Sequence, residues 1–316
     1  MSVGTFCTIV TGDWVPNALA LYRSLCRRDE TTALSLLIAE DVYDTSWITD
    51  PFPDIEVFLA PEICGEGVGG TIYRRYFREL RDEFRWSMKG VFIDFLLTQR
   101  GFERILYLDP DMHCCGEFDF LFEKLATSSV ILAPHWRPFE PPEWDETGRL
   151  NRDELYCKWY LANFSDGFFN AGLIGASREG AEAMRWWAKA CAYRCERDPE
   201  AGFYDDQRYL DLVATRFAGV ETLEHQGCDI AAWNSLTCKR TPGPDGSVLI
   251  NDRWPLVFVH FTPRTIVQTD RGLDPLLRPF LEECRVLVAD FAETLGVASS
   301  MGVPEAEEAP SAASGG

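Results

Sequence analysis

Residues 104–111 read RILYLDPD, a mostly apolar run that ends directly in two aspartates, Asp109 and Asp111. The run predicts a buried strand, and the aspartates follow its carboxyl end, which is where open α/β sheets bind ligands. In extended backbone, side chains two residues apart point the same way, so both carboxylates can face one hard divalent cation. The stretch therefore predicts a metal site, although Asp-Pro-Asp is also a turn sequence that needs no metal.

Short apolar runs alternate with amphipathic helices along most of the chain, which predicts a mostly parallel sheet covered by helices. Besides 104–108, the predicted strands are residues 5–11, 34–39, 55–59, 128–134, 169–177 and 257–261. The predicted helices are residues 17–28, 87–100, 179–195, 205–217 and 276–295. Ser87 is the expected N-cap of the second helix, and Leu212 is expected to face inward from the fourth. One large α/β domain, Rossmann-like and covering 1–298, is the predicted fold class.

The composition limits what the protein can bind. The 316 residues are 46% hydrophobic, enough for a sizeable core, and they carry a formal net charge of -20. This charge argues against nucleic acid or an anionic membrane surface as a partner. An anionic ligand would therefore need a local cation, such as a metal ion or one placed Lys or Arg.

Targeting and redox signals are few. The sequence has no basic leader before an apolar run and no stretch of about 18 apolar residues, so neither a signal peptide nor a transmembrane segment is expected. The eleven cysteines have no spacing typical of a zinc site or a disulfide framework. Reduced thiols and a cytoplasmic location are the expectation. Residues 299–316, rich in Ala, Ser, Glu and Gly, predict a disordered tail.

Further polar motifs follow one another along the chain. They are Thr11-Gly12-Asp13 after the first strand, Lys89 on the helix before the D-x-D strand, FNAG at 169–172, DDQ at 205–207 and VHF at 259–261. Together with the D-x-D pair, these motifs resemble the bacterial glycosyltransferases of the GT-A fold, especially the family 8-like group of retaining hexosyltransferases. The resemblance covers residues 5 to about 265 and leaves out the tail.

The resemblance implies a metal-dependent glycosyltransferase that moves a hexose from a nucleotide sugar, a UDP-sugar, to an acceptor with retention of configuration. It implies Mn²⁺ or Mg²⁺ as the cofactor. It also implies a nucleotide-binding half over about 1–135 and a donor-sugar and acceptor half over about 136–298. It does not indicate whether the acceptor is a glycan, a lipid-linked sugar, a protein or a small molecule.

Each motif takes a role from the resemblance. The implied metal ligands are Asp109, Asp111 and His260. The residues implied to contact the nucleotide, the diphosphate or the donor sugar are Thr11, Asp13, Lys89, Asp109, Asn170, Ala171, Gly172 and Arg264. Asp206 and Gln207 are implied to face the anomeric carbon. The chain departs from the family in having Arg264 in place of a later Lys, and Trp14-Val15 in place of the Asn-Tyr pair beside the uracil, so the identity of the base stays open.

Simpler explanations exist for several of these residues. One of Asp205 and Asp206 can serve only to cap a helix, Lys89 can be an exposed helix residue, and His260 can be structural. Aromatic residues in the irregular stretch 136–166 can anchor the loop or stack on acceptor sugars. They are Trp136, Phe139, Trp144, Trp159 and Tyr160.

Other functions also remain open at this point. A haloacid-dehalogenase-like phosphatase has D-x-D after a buried strand, but near the N-terminus and with a hydroxyl residue where this chain has His113. A non-catalytic nucleotide- or glycan-binding module would keep the fold, yet it has no need of Asp109, Asp111, Asp206 and His260 together. A nucleotidyltransferase is a weaker option, because the Gly-rich loop after the first strand is missing.

Overall fold

The computed structural model describes residues 4–297, so the tail predicted at 299–316 lies outside the described residues. The strands are β1 (Gly4–Val10), β2 (Leu34–Ile38), β3 (Ile55–Leu59), β4 (Arg104–Leu108), β5 (Met112–Cys114), β6 (Val130–Pro134), β7 (Phe169–Ser177), β8 (Arg197–Asp198), β9 (Phe203–Tyr204), β10 (Val220–Thr222), β11 (Arg240–Pro242), β12 (Val248–Ile250), β13 (Trp254–Pro255) and β14 (Phe258–His260). The helices are α1 (Val15–Cys26), α2 (Ser46–Thr49), α3 (Ala60–Cys64), α4 (Val68–Tyr76), α5 (Arg81–Thr98), α6 (Asp119–Lys124), α7 (Glu154–Ser165), α8 (Ala181–Tyr193), α9 (Leu210–Arg216), α10 (Pro263–Asp270) and α11 (Arg278–Leu295).

Seven strands form the central sheet, in the order β10-β6-β7-β4-β1-β2-β3. Neighbouring strands are parallel except that β7 runs antiparallel to both β4 and β6. The central strands β1, β2 and β4 are buried along nearly their whole length, because helices cover both faces of the sheet. The predicted mostly parallel α/β sheet flanked by helices is confirmed.

The two faces of the sheet carry separate cores. Helices α5 and α8 pack together on one face, and α1 and α11 pack on the other. On α5, Met88, Phe92 and Leu96 repeat every four residues and are fully buried. Gly90 lets α5 approach α8 closely, because a Cβ there would lie 2.8 Å from the carbonyl oxygen of Met184. Within residues 4–297, none of the helices has the length and apolarity that a bilayer span requires.

The strand order gathers the polar motifs at one edge of the sheet. Strand β4 ends at this edge, and β7 begins there because it is antiparallel, with Leu108 paired to Leu173. Residues 109–111 therefore lie beside residues 170–172. A second antiparallel pair, β5 with β14, places His260 opposite Met112. Three segments that are far apart in the sequence thus meet at one point.

Helix α5 begins earlier than the sequence predicted. It starts at Arg81, and Ser87 is a buried residue inside it rather than its N-cap. Asp82 and Glu83 occupy the first turn, where negative charge stabilises a helix. The Ser87 hydroxyl instead donates a hydrogen bond of 2.6 Å to the carbonyl oxygen of Glu83, one turn back. The earlier start places Arg85 on the helix, where it lines the cleft described below.

The prediction of one continuous helix at 205–217 was wrong. A 3₁₀ turn, Gln207–Tyr209, precedes the short α9. Only Leu210 and Val213 of α9 are buried, and Leu212 is 53% exposed on the opposite side.

Three other segments differ in detail from the prediction. The stretch 136–166, predicted to be irregular, contains α7, whose N-cap Asp153 accepts a hydrogen bond of 2.7 Å from the Tyr156 N–H. Helix α1 begins two residues earlier than predicted, with Pro16 in its first turn. Helix α11 begins later, after the 3₁₀ turn Pro275–Leu277.

Candidate active site

Asp109, Asp111 and His260 converge at the end of β4 and offer ligand atoms within 4.8 Å of one another. His260 Nε2 lies 3.0 Å from Asp111 Oδ1 and 4.0 Å from Asp109 Oδ2. An octahedral ion with ligands at about 2.1 Å holds neighbouring ligands about 3 Å apart and opposite ligands about 4 Å apart. Both the separations and the oxygen-rich donor set therefore fit Mg²⁺ or Mn²⁺.

Asp229 holds His260 in place, and the sequence did not reveal it. Its Oδ1 lies 3.3 Å from His260 Nδ1, and both side chains are buried. A carboxylate there favours a proton on Nδ1, so Nε2 is the nitrogen that would bind a metal ion, as in many metal-bound histidines. Burial disfavours the imidazolium, but Asp111 and Asp229 raise the pKa of His260 well above its ordinary value. Burial also raises the pKa of Asp229.

Gly172 is the point where β7 meets the metal cluster. The Asp109 N–H donates to the Gly172 carbonyl oxygen at 2.8 Å, and the Gly172 N–H donates to Asn170 Oδ1 at 2.6 Å. A Cβ on Gly172 would lie 2.6 Å from Asn170 Oδ1 and 2.6 Å from His260 Cε1. The glycine is therefore required for close packing of the cluster. Asn170 Nδ2 also lies 3.3 Å from Nε2 of His135, a residue for which the sequence suggested no partner.

Lys89 lies at the centre of the site rather than on the surface, so the exposed-helix explanation was wrong. Its side chain is only 3% exposed, and Nζ lies 3.1 Å from Asp109 Oδ1 and 3.2 Å from Asp206 Oδ2. It also donates to the Ala171 carbonyl oxygen at 3.1 Å. Burial alone would lower the pKa of Lys89, but Asp109 and Asp206 outweigh it and raise that pKa. Tyr107 donates a further hydrogen bond of 2.7 Å to Asp109 Oδ1.

The two aspartates of DDQ have different environments. Asp205 shapes the turn: its backbone has a positive φ of 40°, and its Oδ1 accepts from the Gln207 N–H at 3.2 Å. Asp206 turns its carboxylate to Lys89, while its carbonyl oxygen accepts from Trp187 Nε1 at 2.8 Å. Burial raises the pKa of Asp206, and the neighbouring Lys89 opposes this rise by favouring the carboxylate. Gln207 Nε2 donates to the Asp166 carbonyl oxygen at 3.0 Å.

A cleft of about 500 Å³ joins these groups, a size suited to a small ligand or cofactor. The predicted site residues that line it are Lys89, Asp109, Asp111, Asn170, Ala171, Gly172, Asp206, Gln207, His260 and Arg264. Thr11 and Asp13 line an adjoining cavity of about 410 Å³ instead. Trp14, Asp82 and Arg85 line both spaces, so the two are neighbours.

Arginines resting on aromatic rings surround the cleft. The guanidinium carbon of Arg264 lies 4.6 Å from the centre of the Trp159 ring, and Arg264 has no ion pair with any described residue. The guanidinium carbon of Arg197 lies 4.8 Å from the centre of the Trp86 ring and 5.2 Å from that of Tyr204. Arg197 is paired with Asp205 at 3.1 Å, so Arg264 is the one of these two groups whose charge is available to an anion in a chain of net charge -20. Among these residues, only Arg264 and Trp159 were singled out from the sequence.

The other aromatic residues of the stretch 136–166 are dispersed. Trp136 and Phe139 line a different cavity, discussed below, and Tyr160 packs on Phe164 with 5.4 Å between ring centres. Trp144 is largely exposed and forms an isolated bridge with Leu150. Trp159 is therefore the residue of this group that lines the cleft.

Comparison with known proteins supports the fold. No family model matches the chain. The uncharacterized protein YfnF of Bacillus subtilis (strain 168) is 26% identical over 269 residues, which cover 83% of this chain and 82% of YfnF. The structure of the galactosyltransferase LgtC with donor and acceptor sugar analogs superposes with a TM-score of 0.55 at 11% identity, covering 90% of this chain and 96% of LgtC.

A match to the glycosyltransferase GlyE of Streptococcus pneumoniae TIGR4 is weaker, with a TM-score of 0.42 at 17% identity. It covers 71% of this chain and 46% of GlyE, less than half of that protein's length. The similarity to LgtC shows that the chain has the fold of a GT-A glycosyltransferase, and it confirms the resemblance seen in the sequence at the level of the fold.

Proposed function

We propose that the chain is a metal-dependent glycosyltransferase that moves a hexose from a nucleotide sugar to an acceptor hydroxyl. The observation that carries the proposal is the convergence of Asp109, Asp111 and His260 on a cleft that also contains the buried Lys89–Asp206 pair. The fold shared with LgtC, whose structure holds donor and acceptor sugar analogs, supports the same function.

The metal ligands have support from their neighbours. Asp109, Asp111 and His260 would hold Mn²⁺ or Mg²⁺, which would supply positive charge to neutralise the charge that develops on the diphosphate leaving group. Asp229 fixes the tautomer and orientation of His260, and Lys89 fixes the carboxylate of Asp109. The site is thus preorganised, since each of these side chains has a partner that restricts its rotation.

The donor would extend from the cleft into the adjoining cavity. Thr11 and Asp13 line that cavity and would contact the nucleoside, for which uridine is our proposal. Arg264 is free to bind the diphosphate, taking the position of the usual lysine, because no described carboxylate occupies its guanidinium. Asn170, Ala171 and Gly172 would contact the hexose at the floor of the cleft.

The two residues proposed to act on the sugar are Asp206 and Gln207. The Asp206 carboxylate lies 3.2 Å from the Lys89 ammonium, which suits electrostatic stabilisation of an oxocarbenium-like sugar better than removal of an acceptor proton. Retention of the anomeric configuration is therefore our proposal. The configuration of the first product, read by proton NMR, tests it.

A panel of nucleotide sugars tests the proposed function. We expect one donor to bind in the presence of Mn²⁺ and to be hydrolysed slowly to a nucleoside diphosphate and a free hexose, without acceptor. Chelation of the metal should abolish both effects. Binding without any hydrolysis would favour a non-catalytic module. Hydrolysis of a simple aryl phosphate, with no reaction of nucleotide sugars, would favour the phosphatase.

A further inference from the structure

A second cavity, of about 530 Å³, opens at the same edge of the sheet as the metal cluster. It lies between α9 and the ends of β6, β7 and β10. Its walls are mainly apolar, formed by Pro134, Trp136, Phe139, Phe168, Phe169 and Ala214. The cleft and its adjoining cavity already provide space for the proposed donor, so this second cavity is not needed for the nucleotide or its sugar.

Four of the five polar side chains in the wall already have hydrogen-bond partners, and the fifth, Thr222, is exposed to solvent. Asn163 Nδ2 donates to the Pro138 carbonyl oxygen at 2.8 Å, and Asp211 Oδ1 accepts from the Phe168 N–H at 3.0 Å. Thr215 donates to carbonyl oxygens of its own helix. A sugar or a phosphate placed in this cavity would lose water without gaining these groups as partners. The cavity therefore suits hydrocarbon.

Exposed apolar side chains lie in the wall of the cavity and in the neighbouring sequence. Phe139 is 74% exposed and Phe168 is 43% exposed, and both line it. Leu161 and Phe164, also exposed, lie three residues apart on one face of α7. Six of the twelve exposed large hydrophobic residues in the described part of the chain fall between 139 and 168. The two of these rings that line the cavity, Phe139 and Phe168, give it an apolar wall open to solvent, which suits a hydrocarbon chain.

The second cavity adjoins the metal cleft. Arg137 lines both, and its guanidinium lies 3.1 Å from Asp166, which lines the cleft. The Asp166 carbonyl oxygen in turn accepts from Gln207, one of the two residues proposed to act on the sugar. One molecule could therefore place a polar end beside Gln207 and an apolar end beyond Arg137.

We propose that the acceptor is amphipathic, with a hydrocarbon chain that occupies this second cavity and a hydroxyl-bearing end that lies in the metal cleft. The proposal rests on the proposed transferase function only in placing the polar end of the acceptor in the metal cleft. The hydrocarbon chain would bind by burying apolar surface, so its binding can be measured without turnover.

A series of n-alkyl β-glucosides, from ethyl to decyl, tests the proposal by calorimetric titration of the full chain with Mn²⁺ and UDP present, below each micelle concentration. The dissociation constant should fall by about fourfold for each methylene buried and should level off once the cavity is full. Equal dissociation constants for ethyl and octyl glucoside would overturn the proposal. Tighter binding of phenyl than of octyl glucoside would overturn the hydrocarbon chain as occupant.

Two variants and one control locate the hydrocarbon chain. Ala214→Leu narrows the cavity and should weaken the dependence on chain length, whereas the control Ala126→Leu, the same change at an exposed position remote from the cavity, should keep it. Phe139→Ala should weaken octyl glucoside binding by removing an exposed wall. If the dissociation constant of Ala214→Leu depended on alkyl chain length as in the parent protein, the hydrocarbon chain would bind elsewhere and the proposal would be overturned. Binding of UDP with Mn²⁺, measured on the same samples, reports separately on the proposed function.

Discussion

Gly172→Ala should disable the metal site while leaving the fold intact. Gly172 does not have a positive φ, so alanine is compatible with its backbone. The new Cβ would lie 2.6 Å from both Asn170 Oδ1 and His260 Cε1, whereas ordinary contact begins at 3.4 Å, so each must move by about 0.8 Å. Asp109 Oδ2, at 3.0 Å, must also move. A misplacement of about 1 Å can cost about 100-fold in rate, and we expect a loss of that order in both Mn²⁺ affinity and donor hydrolysis.

The matched control is Gly175→Ala, three residues along the same strand. Its Cβ would meet the Ile131 side chain at 2.5 Å, inside the core and away from the metal cluster. Gly175→Ala should therefore lower the free energy of unfolding by about 1–3 kcal/mol through overpacking and leave Mn²⁺ affinity unchanged. Calorimetric titration with Mn²⁺ and thermal unfolding in chelator measure the two effects. If Gly172→Ala bound Mn²⁺ as tightly as the parent, the geometry described for the cluster would be refuted.

Four further substitutions test the same site. Asp111→Asn, or Asp109→Asn, should abolish Mn²⁺-dependent nucleotide binding without lowering the melting temperature measured in chelator. Retained binding would show that the substituted aspartate is not a metal ligand. His260→Ala should weaken Mn²⁺ binding and flatten its pH dependence. Because the pKa of His260 is raised, a proton competes with the metal for the imidazole. The Mn²⁺ affinity of the parent protein should therefore rise about tenfold per pH unit up to that pKa. A parallel pH profile in the variant would assign the titration to another group. Asp229→Asn should weaken Mn²⁺ binding by about 10- to 100-fold, since the imidazole loses its carboxylate partner. The control Asp245→Asn, at an exposed position, should have no effect. Unchanged Mn²⁺ binding by Asp229→Asn would show that His260 needs no such support.

The sequence revealed those parts of the site that lie at strand ends. RILYL is apolar because both faces of β4 are covered, and the residue after it must be at the sheet edge. FNAG and VHF mark the start of β7 and the end of β14 in the same way. The side chains predicted from these motifs meet because strand direction and pairing are fixed by the sheet.

Asp229 could not be found by such reasoning. It lies in a loop, and its contact with His260 joins residues 31 positions apart without a periodic pattern. Lys89 illustrates a related limit: its place on α5 was predictable, but its burial depends on Asp109 and Asp206, which lie on other elements. The second cavity was only partly visible in the sequence: Trp136 and Phe139 were candidates for acceptor contacts, but the cavity also depends on walls from α9 and the ends of three strands.

The central claim, metal-dependent transfer from a nucleotide sugar at this cleft, is tested most directly by a proton NMR time course. The donor selected from the panel is incubated with Mg²⁺ and either the parent protein or Asp111→Asn. We predict that the anomeric signal of the donor declines only with the parent protein in the presence of Mg²⁺, and that free hexose appears first as the anomer present in the donor. Decline at the same rate in chelator, or with Asp111→Asn, would contradict the claim.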